Sequence, residues 1–242
     1  MSKSVNNLDS VESYMSAKVI GGNPSGIINF NRTPHKWAKN IWDLMRANTW
    51  HPTQVNISAD KVNYAKLSDA DRRMYDLFLA QLIPNDSIQT NQLMDSINRY
   101  ITSPVVNACL ARHAYEEANH SESYSVMAED ICGDTNRIFN MHHTDPELAL
   151  KNNAVAEMYA LVNNSDNPSD EDLVVAFGAN QVLEELVFPV GFVGIFSISH
   201  IMTGSGAMIS EIEKDEAAHV ALFKNMFRTT IRESFNTIVP IS

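Results

Sequence analysis

After Pro34 the apolar positions recur with the period of a helix. Trp37, Ile41, Trp42 and Met45 share one face, and Thr49-Trp50-His51-Pro52 ends the run, because a residue before proline is pushed out of the helical region. Ser68-Asp69-Ala70-Asp71 reads as an N-cap with an acidic first turn, and the periodic pattern then continues to about Ile97. Pro104 marks the start of a second long helix reaching about Asp130. A looser stretch follows, with Gly133 and His142-His143-Thr144-Asp145-Pro146, in which both histidines are expected in a solvated loop. A short helix is expected from Pro146 to about Leu161, and a loop from Asn163 to Asp170. Ser169 can cap a long apolar helix. Gly204 and Gly206 are expected to break the chain before a last helix from about Ala207 to the mid-230s. No period-two alternation competes with this pattern, and no internal repeat interrupts it. The expectation is an all-α bundle, a single domain over 27–242, preceded by a polar, mobile arm over 1–26 that ends in Gly21-Gly22-Asn23-Pro24-Ser25-Gly26.

With 242 residues, 44% hydrophobic and 19% charged, the chain can bury a sizeable core. Its net charge of -11 argues against a polyanionic partner, so no nucleic acid is expected. Cys109 and Cys132 form no C-x-x-C pair and suggest buried or half-buried thiols in a reducing compartment. Met1 to Gly22 lacks an apolar segment behind a basic start, so no signal peptide is expected. The stretch from Leu186 to Met202 is nearly uncharged. It contains Pro189, Gly191, Gly194 and His200 and directly follows Glu184-Glu185, which reads as a buried core helix rather than a membrane span.

Two segments repeat one local pattern, Glu116-Glu117-Ala118-Asn119-His120 and Asp215-Glu216-Ala217-Ala218-His219. Each contains Glu-x-x-His, and residues three apart on a helix share a face, so a carboxylate oxygen and an imidazole nitrogen can meet on one ion. One such pair is a weak signal; two on separate apolar helices are much stronger. Asp86 shares its helical face with Leu79, Leu82, Ile83 and Leu93, and Glu184 begins a stripe with Phe188 and Phe192. Burying acids there is costly unless they are paired or bound to metal. Asp86, Glu117, Glu184 and Glu216 would balance the charge of two divalent ions. By spacing alone Glu116 can replace Glu117, and Glu185 can replace Glu184. Tyr124 lies four residues after His120 on the same face, where Phe188, Phe192 and Ile212 could wall it with apolar groups.

Asp86-Ser87-Ile88-Gln89, Glu117-x-x-His120-Ser-x-Ser-Tyr124, Leu183-Glu184-Glu185 and Asp215-Glu216-Ala217-Ala218-His219 resemble, in that order, the radical-generating small subunit of class I ribonucleotide reductase. The resemblance runs from about Trp37 to about Met226 and implies a ferritin-like bundle with a dinuclear metal site. It implies that Asp86, Glu117 and His120 bind one metal and that Glu184, Glu216 and His219 bind the other. It further implies a tyrosyl radical on Tyr124 within a pocket of Phe188, Phe192 and Ile212, and a transfer route in which Asp215 connects Trp50 to His120. An iron pair is the first expectation, with manganese/iron or manganese/manganese as the other pairings. The implied partners are a catalytic large subunit and a second copy of the chain, and the implied location is cytoplasmic. Family members continue past the second Glu-x-x-His into further helices and a tail carrying another tyrosine; here 23 residues follow His219 and none is tyrosine. Lys214 stands where arginine is common. The other readings are a related dimetal oxidase acting on a bound organic substrate, and a ferroxidase or metal-storage protein.

Overall fold

A computed structural model describes residues 14–23 and 25–235. Among these, the regular structure is helical, and the single β-type contact is an isolated bridge between Ile20 and Ile101. The α-helices are α1 (Lys36–Ala47), α2 (Asp60–Tyr64), α3 (Asp69–Gln92), α4 (Pro104–Met127), α5 (Thr135–Thr144), α6 (Pro146–Met158), α7 (Ala160–Asn163), α8 (Asp170–Val182), α9 (Phe188–Ser197) and α10 (Thr203–Phe235). Side-chain caps start several of them. Ser68 Oγ accepts from the Asp71 amide before α3, Asp145 accepts from the first turn of α6, and Ser169 with Asp172 forms a reciprocal capping box before α8.

Three π-helical turns continue these helices: Leu93–Ile97 after α3, Ala128–Cys132 after α4, and Leu183–Val187 joining α8 to α9. The third contains Glu184. A π turn carries one residue more than an α turn and so re-aims the side chains within it, which is why such turns gather at functional positions.

α3, α4, the α8–α9 unit and α10 surround the interior. α3 packs on α4 and α9, and α10 packs on α8, α9 and α4. Two hydrophobic clusters fill the bundle, one holding Trp50, Leu79, Leu82, Tyr124, Phe188, Phe192 and Ile212, the other Leu93, Val106, Leu110, Phe177, Leu222 and Phe223. Each inner helix passes from one cluster to the other. α3 does so between Ile83 and Leu93, α4 between Leu110 and Tyr124, the α8–α9 unit between Phe177 and Leu183, and α10 between Ile212 and Ala218. Asp86, Glu117 with His120, and Glu216 lie at three of these crossings, and Glu184 directly follows the fourth. The polar centre is therefore closed on both sides by apolar packing. Close approach matters here: a Cβ on Gly194 would lie 2.0 Å from the Phe78 ring, so glycine lets α9 sit directly on α3.

Three expectations are corrected. His142 and His143 form the last full turn of α5, where His142 Nδ1 pairs with the Phe139 carbonyl. Gly204 and Gly206 lie inside α10 rather than before it. α10 can begin at Thr203 because the buried Asp60 carboxylate accepts from the amides of Gly204 (3.1 Å) and Ser205 (2.6 Å), capping it from α2. Within the stretch expected to be an arm, Ala17, Val19 and Ile20 are buried; Val19 donates its amide to Glu233 and its carbonyl accepts from Thr102. Residues 1–13 and Pro24 lie outside the described residues. Asp170–Ser197 is one continuous helical segment long and apolar enough to cross a membrane. Glu184 is buried near its middle and hydrogen-bonded to Gln89, as suits a helix inside a bundle.

Candidate metal centre

α3 contributes Asp86, α4 contributes Glu117 and His120, the π turn contributes Glu184, and α10 contributes Glu216 and His219. All six are buried, none more than 3% exposed. Their donor atoms, joined by one from His113 of α4, fall into two groups, each within 4.8 Å: Asp86, Glu117, His120 and Glu216, and His113, Glu117, Glu184 and His219. Glu216, expected with Glu184 and His219, lies between the histidines, with Oε1 3.3 Å from His120 Nδ1 and Oε2 2.8 Å from His219 Nδ1. Glu117 does the same, with Oε2 3.7 Å from His120 Nδ1 and Oε1 3.3 Å from His219 Nδ1. Each of these carboxylates thus faces both histidines.

The alternatives left open by spacing are separated by orientation. Glu185 is exposed and accepts from Gln181. Glu116 is buried but faces outward from the donor groups: its Oε2 lies 3.0 Å from His219 Nε2, and its Oε1 accepts from Arg112 Nε at 2.8 Å. Asp215 plays the matching part for the other histidine, with Oδ2 3.2 Å from His120 Nε2. Each histidine thus points Nδ1 inward and donates Nε2–H to a carboxylate, which fixes its tautomer and makes the inner nitrogen a better donor. The same Asp215 oxygen accepts from Trp50 Nε1 at 2.7 Å, and the Trp50 and His120 rings stack at 6.4 Å.

Electrostatics follow from packing acids together away from water. Burial pushes the Asp86 carboxyl well up, and the neighbouring Glu117 charge adds to this. Burial and the charges of Glu184 and Glu117 push Glu216 to about 7. Burial acts on Glu184 and Glu117 in the same sense, but is outweighed by the histidines that face them. His113 and His219 bring Glu184 down to about 2, and His113, His120 and His219 hold Glu117 well below its ordinary value. Tyr124 is fully buried, its hydroxyl makes no hydrogen bond, and burial with the nearby Asp86 charge keeps the phenol neutral. Phe188, Phe192 and Ile212 are buried in the same cluster as Tyr124.

Two features escaped the sequence reading. His113 stands four residues before Glu117 on α4, and that i,i+4 spacing was the signal available for it. A buried network also supports Glu184: Gln89 Nε2 donates to Glu184 Oε1 at 2.5 Å, and Gln89 Oε1 accepts from the Tyr159 hydroxyl and from Asn180 Nδ2.

The donor set fits two divalent ions of the iron or manganese type. Asp86 Oδ1 and Oδ2, Glu117 Oε2, His120 Nδ1, Glu184 Oε2 and Glu216 Oε1 are buried donor atoms with no hydrogen-bond partner. Each such atom would cost about 1–3 kcal/mol if nothing satisfied it, and a cation does so for all of them together. Mixed carboxylate and imidazole donors are the chemistry these ions take.

The family model described as ribonucleotide reductase, small chain, matches residues 27–238. The ribonucleoside-diphosphate reductase subunit beta of Treponema pallidum is 33% identical over 220 residues, which is 89% of this chain and 62% of that protein. This chain therefore spans less than two thirds of that relative's length. The ribonucleotide reductase R2 subunit from Clostridium botulinum superposes with a TM-score of 0.90 at 25% identity, covering 98% of this chain and 74% of that one. An R2-like ligand-binding oxidase with a reconstituted Mn/Fe cofactor shares the fold at a TM-score of 0.69 and 18% identity, over 84% of this chain and 72% of that one. With its helices, its buried carboxylate–histidine centre and a family match spanning most of its length, this chain belongs to the ribonucleotide reductase small-chain family.

Proposed function

We propose that the chain is the radical-generating subunit of a class I ribonucleotide reductase, working with a separate catalytic large subunit that converts ribonucleotides to deoxyribonucleotides. The observation that carries this reading is the connected run from Trp50 through Asp215 to His120, at 2.7 and 3.2 Å. A storage protein or an oxidase has no use for a tryptophan wired to a ligand histidine. An oxidase would also need room for an organic substrate beside the ions, and the apolar groove of about 260 Å³ between α3, α6 and the third π turn is lined by none of the six expected ligands.

An iron pair is the proposed occupant, with Mn/Fe and Mn/Mn as the other pairings. When bound, the pair supplies oxidising power drawn from dioxygen. The protein's own residues do the rest. Glu117 and Glu216, each facing both histidines, would help hold the two ions, and Asp215 and Glu116 orient the histidines. Tyr124 is the proposed radical site. A buried neutral phenol that gives up an electron must give up its proton as well, to a base within the carboxylate centre beside it. Phe188, Phe192 and Ile212 exclude water and reductants from the resulting radical. Asp215 holds Trp50 and His120 together by accepting from both, so an electron can pass along that path without large motion. Family membership supports a homodimer, a large-subunit partner and a cytoplasmic location, and the two unpaired cysteines, Cys109 and Cys132, suit a reducing compartment.

The test is electron paramagnetic resonance after loading the metal-free chain with ferrous iron, or with manganese plus iron, and admitting oxygen, for wild type and Tyr124→Phe together. A tyrosyl signal that vanishes in the variant is expected. An oxidised metal pair with no tyrosyl signal in either protein would overturn the role of Tyr124 and favour the oxidase reading.

A further inference from the structure

We propose that His113 is a seventh protein ligand of the dinuclear centre, binding through Nε2 the ion on the Glu184–His219 side. This rests on the dinuclear reading above and deepens it. His113 is fully buried, and its Nε2 lies 2.7 Å from Glu117 Oε1 and 3.2 Å from Glu184 Oε1. Its ring stacks on that of His219 with centroids 3.6 Å apart and planes 23° apart. The two stacked rings present nitrogens to the same Glu117 oxygen, His113 Nε2 at 2.7 Å and His219 Nδ1 at 3.3 Å. An ion beside that oxygen would be within reach of both nitrogens. The donor atoms of His113, Glu117, Glu184 and His219 all lie within 4.8 Å of one another, as closely grouped as those of Asp86, Glu117, His120 and Glu216 on the other side. On α4 the residues His113, Glu117 and His120 occupy i, i+4 and i+7, so one helix face delivers three donors.

His113 differs from the other two histidines in one respect. The outer nitrogens of His120 and His219 are held by Asp215 and Glu116, whereas His113 Nδ1 is buried without a hydrogen-bond partner, and the ring packs at a steep angle to Phe223. No acceptor fixes a proton on Nδ1 or keeps it away. The proton can therefore sit on Nε2, bonded to the carboxylates, or move to Nδ1 and free the Nε2 lone pair for an ion. The second site would hold two imidazoles and the first only one, so the two ions would differ in donor set.

The experiment titrates the full metal-free chain with manganese(II) alone, without oxygen, in wild type and His113→Gln, following free manganese by electron paramagnetic resonance. Glutamine retains an N–H that can donate to Glu117 and Glu184 but has no imidazole lone pair. Two bound ions are expected in wild type. In the variant one ion should stay while the other weakens by about tenfold or more. A crystal structure of the manganese-loaded wild type should place His113 Nε2 at bonding distance from one ion, a result that does not depend on the variant folding. Wild-type affinity for both ions in His113→Gln, or a loaded structure in which Nε2 still donates to the carboxylates, would overturn the proposal. Failure of wild type itself to bind two ions would overturn the dinuclear reading, and this proposal with it.

Discussion

Asp215 and Glu116 offer a sharp test of how the centre is built, because each holds a different histidine. Asp215→Asn keeps the shape of the side chain and one acceptor oxygen but removes the charge. Asp215 Oδ2 receives two hydrogen bonds, from Trp50 Nε1 at 2.7 Å and from His120 Nε2 at 3.2 Å, and the residue is 1% exposed. Charge-assisted bonds contribute about 1.5–3 kcal/mol each against about 0.5–1.5 for neutral ones, so the variant weakens the one bond that supports His120 by about 1–1.5 kcal/mol, and the bond to Trp50 by as much. The loss at His120 passes to any ion it holds. Loss of an outer partner of a ligand histidine lowers metal affinity by about 10–100-fold, or roughly 1.4–2.7 kcal/mol. The structure says where the loss falls. Asp215→Asn should weaken the Asp86–His120 position and leave the Glu184–His219 position nearly untouched, since His219 is held by Glu116 at 3.0 Å. Glu116→Gln should do the reverse. A two-site manganese(II) titration of the metal-free chain measures both affinities, and anomalous diffraction identifies which position has lost its ion. If both variants weakened the same position, or neither changed either affinity by more than about twofold, the assignment of one carboxylate to each histidine would be wrong.

Trp50→Phe removes the indole N–H but no ligand. It should assemble the metal pair and the Tyr124 signal normally, and fail in turnover assays with a large subunit; full turnover would remove Trp50 from the route. Gly204→Ala should destabilise the fold by about 1–3 kcal/mol in urea unfolding, because the new Cβ would lie 2.6 Å from the Ile57 Cα, a backbone atom that cannot swing aside; an unchanged midpoint would refute this contact. The metal-free chain should lose stability as pH rises from about 5 to 8. Burial raises Glu216 from 4.5 to about 7, so its contribution is complete below 4.5 and disappears as pH climbs through 7, and the raised values of His120 and His219 act in the same sense. Glu184, lowered to about 2, changes stability only below 4.5 and leaves this window alone. Thermal melts of the metal-free chain should therefore fall across that range, while those of the metal-loaded chain should not, because the ions require deprotonated ligands. A metal-free melting temperature that rises from pH 5 to 7 would contradict the electrostatics of the site.

What the sequence could determine by itself was what a helix determines locally. Ser68 and Ser169 identify helix starts because a hydroxyl three residues before an amide can cap it whatever lies beyond. The two Glu-x-x-His pairs identify a metal-binding face because three residues span nearly one turn in any α-helix. Asp86 and Glu184 stand out as acids in apolar stripes on the same ground. Tertiary structure decided what depends on a second element. Glu116 and Glu117 are neighbours about 100° apart around α4, and only the packing of α4 against α3 and α10 turns Glu117 into the buried donor groups and leaves Glu116 for His219. Glu216 can be seen to face both histidines only once His120 is brought within 3.3 Å of it across 96 residues of chain. His113 carries a readable spacing, but its role depends on the ring of His219 stacked against it from α10. Gly204 and Gly206 read as a break because glycine weakens an isolated helix; in the folded chain Asp60 caps the first turn from another helix and the missing side chains let Ile57 and Ser199 approach. Helical period and capping are short-range and survive in one dimension. The choice between adjacent carboxylates, the pairing of each histidine with its outer acid and the tolerance of glycine inside a helix are long-range, and exist only when the helices pack.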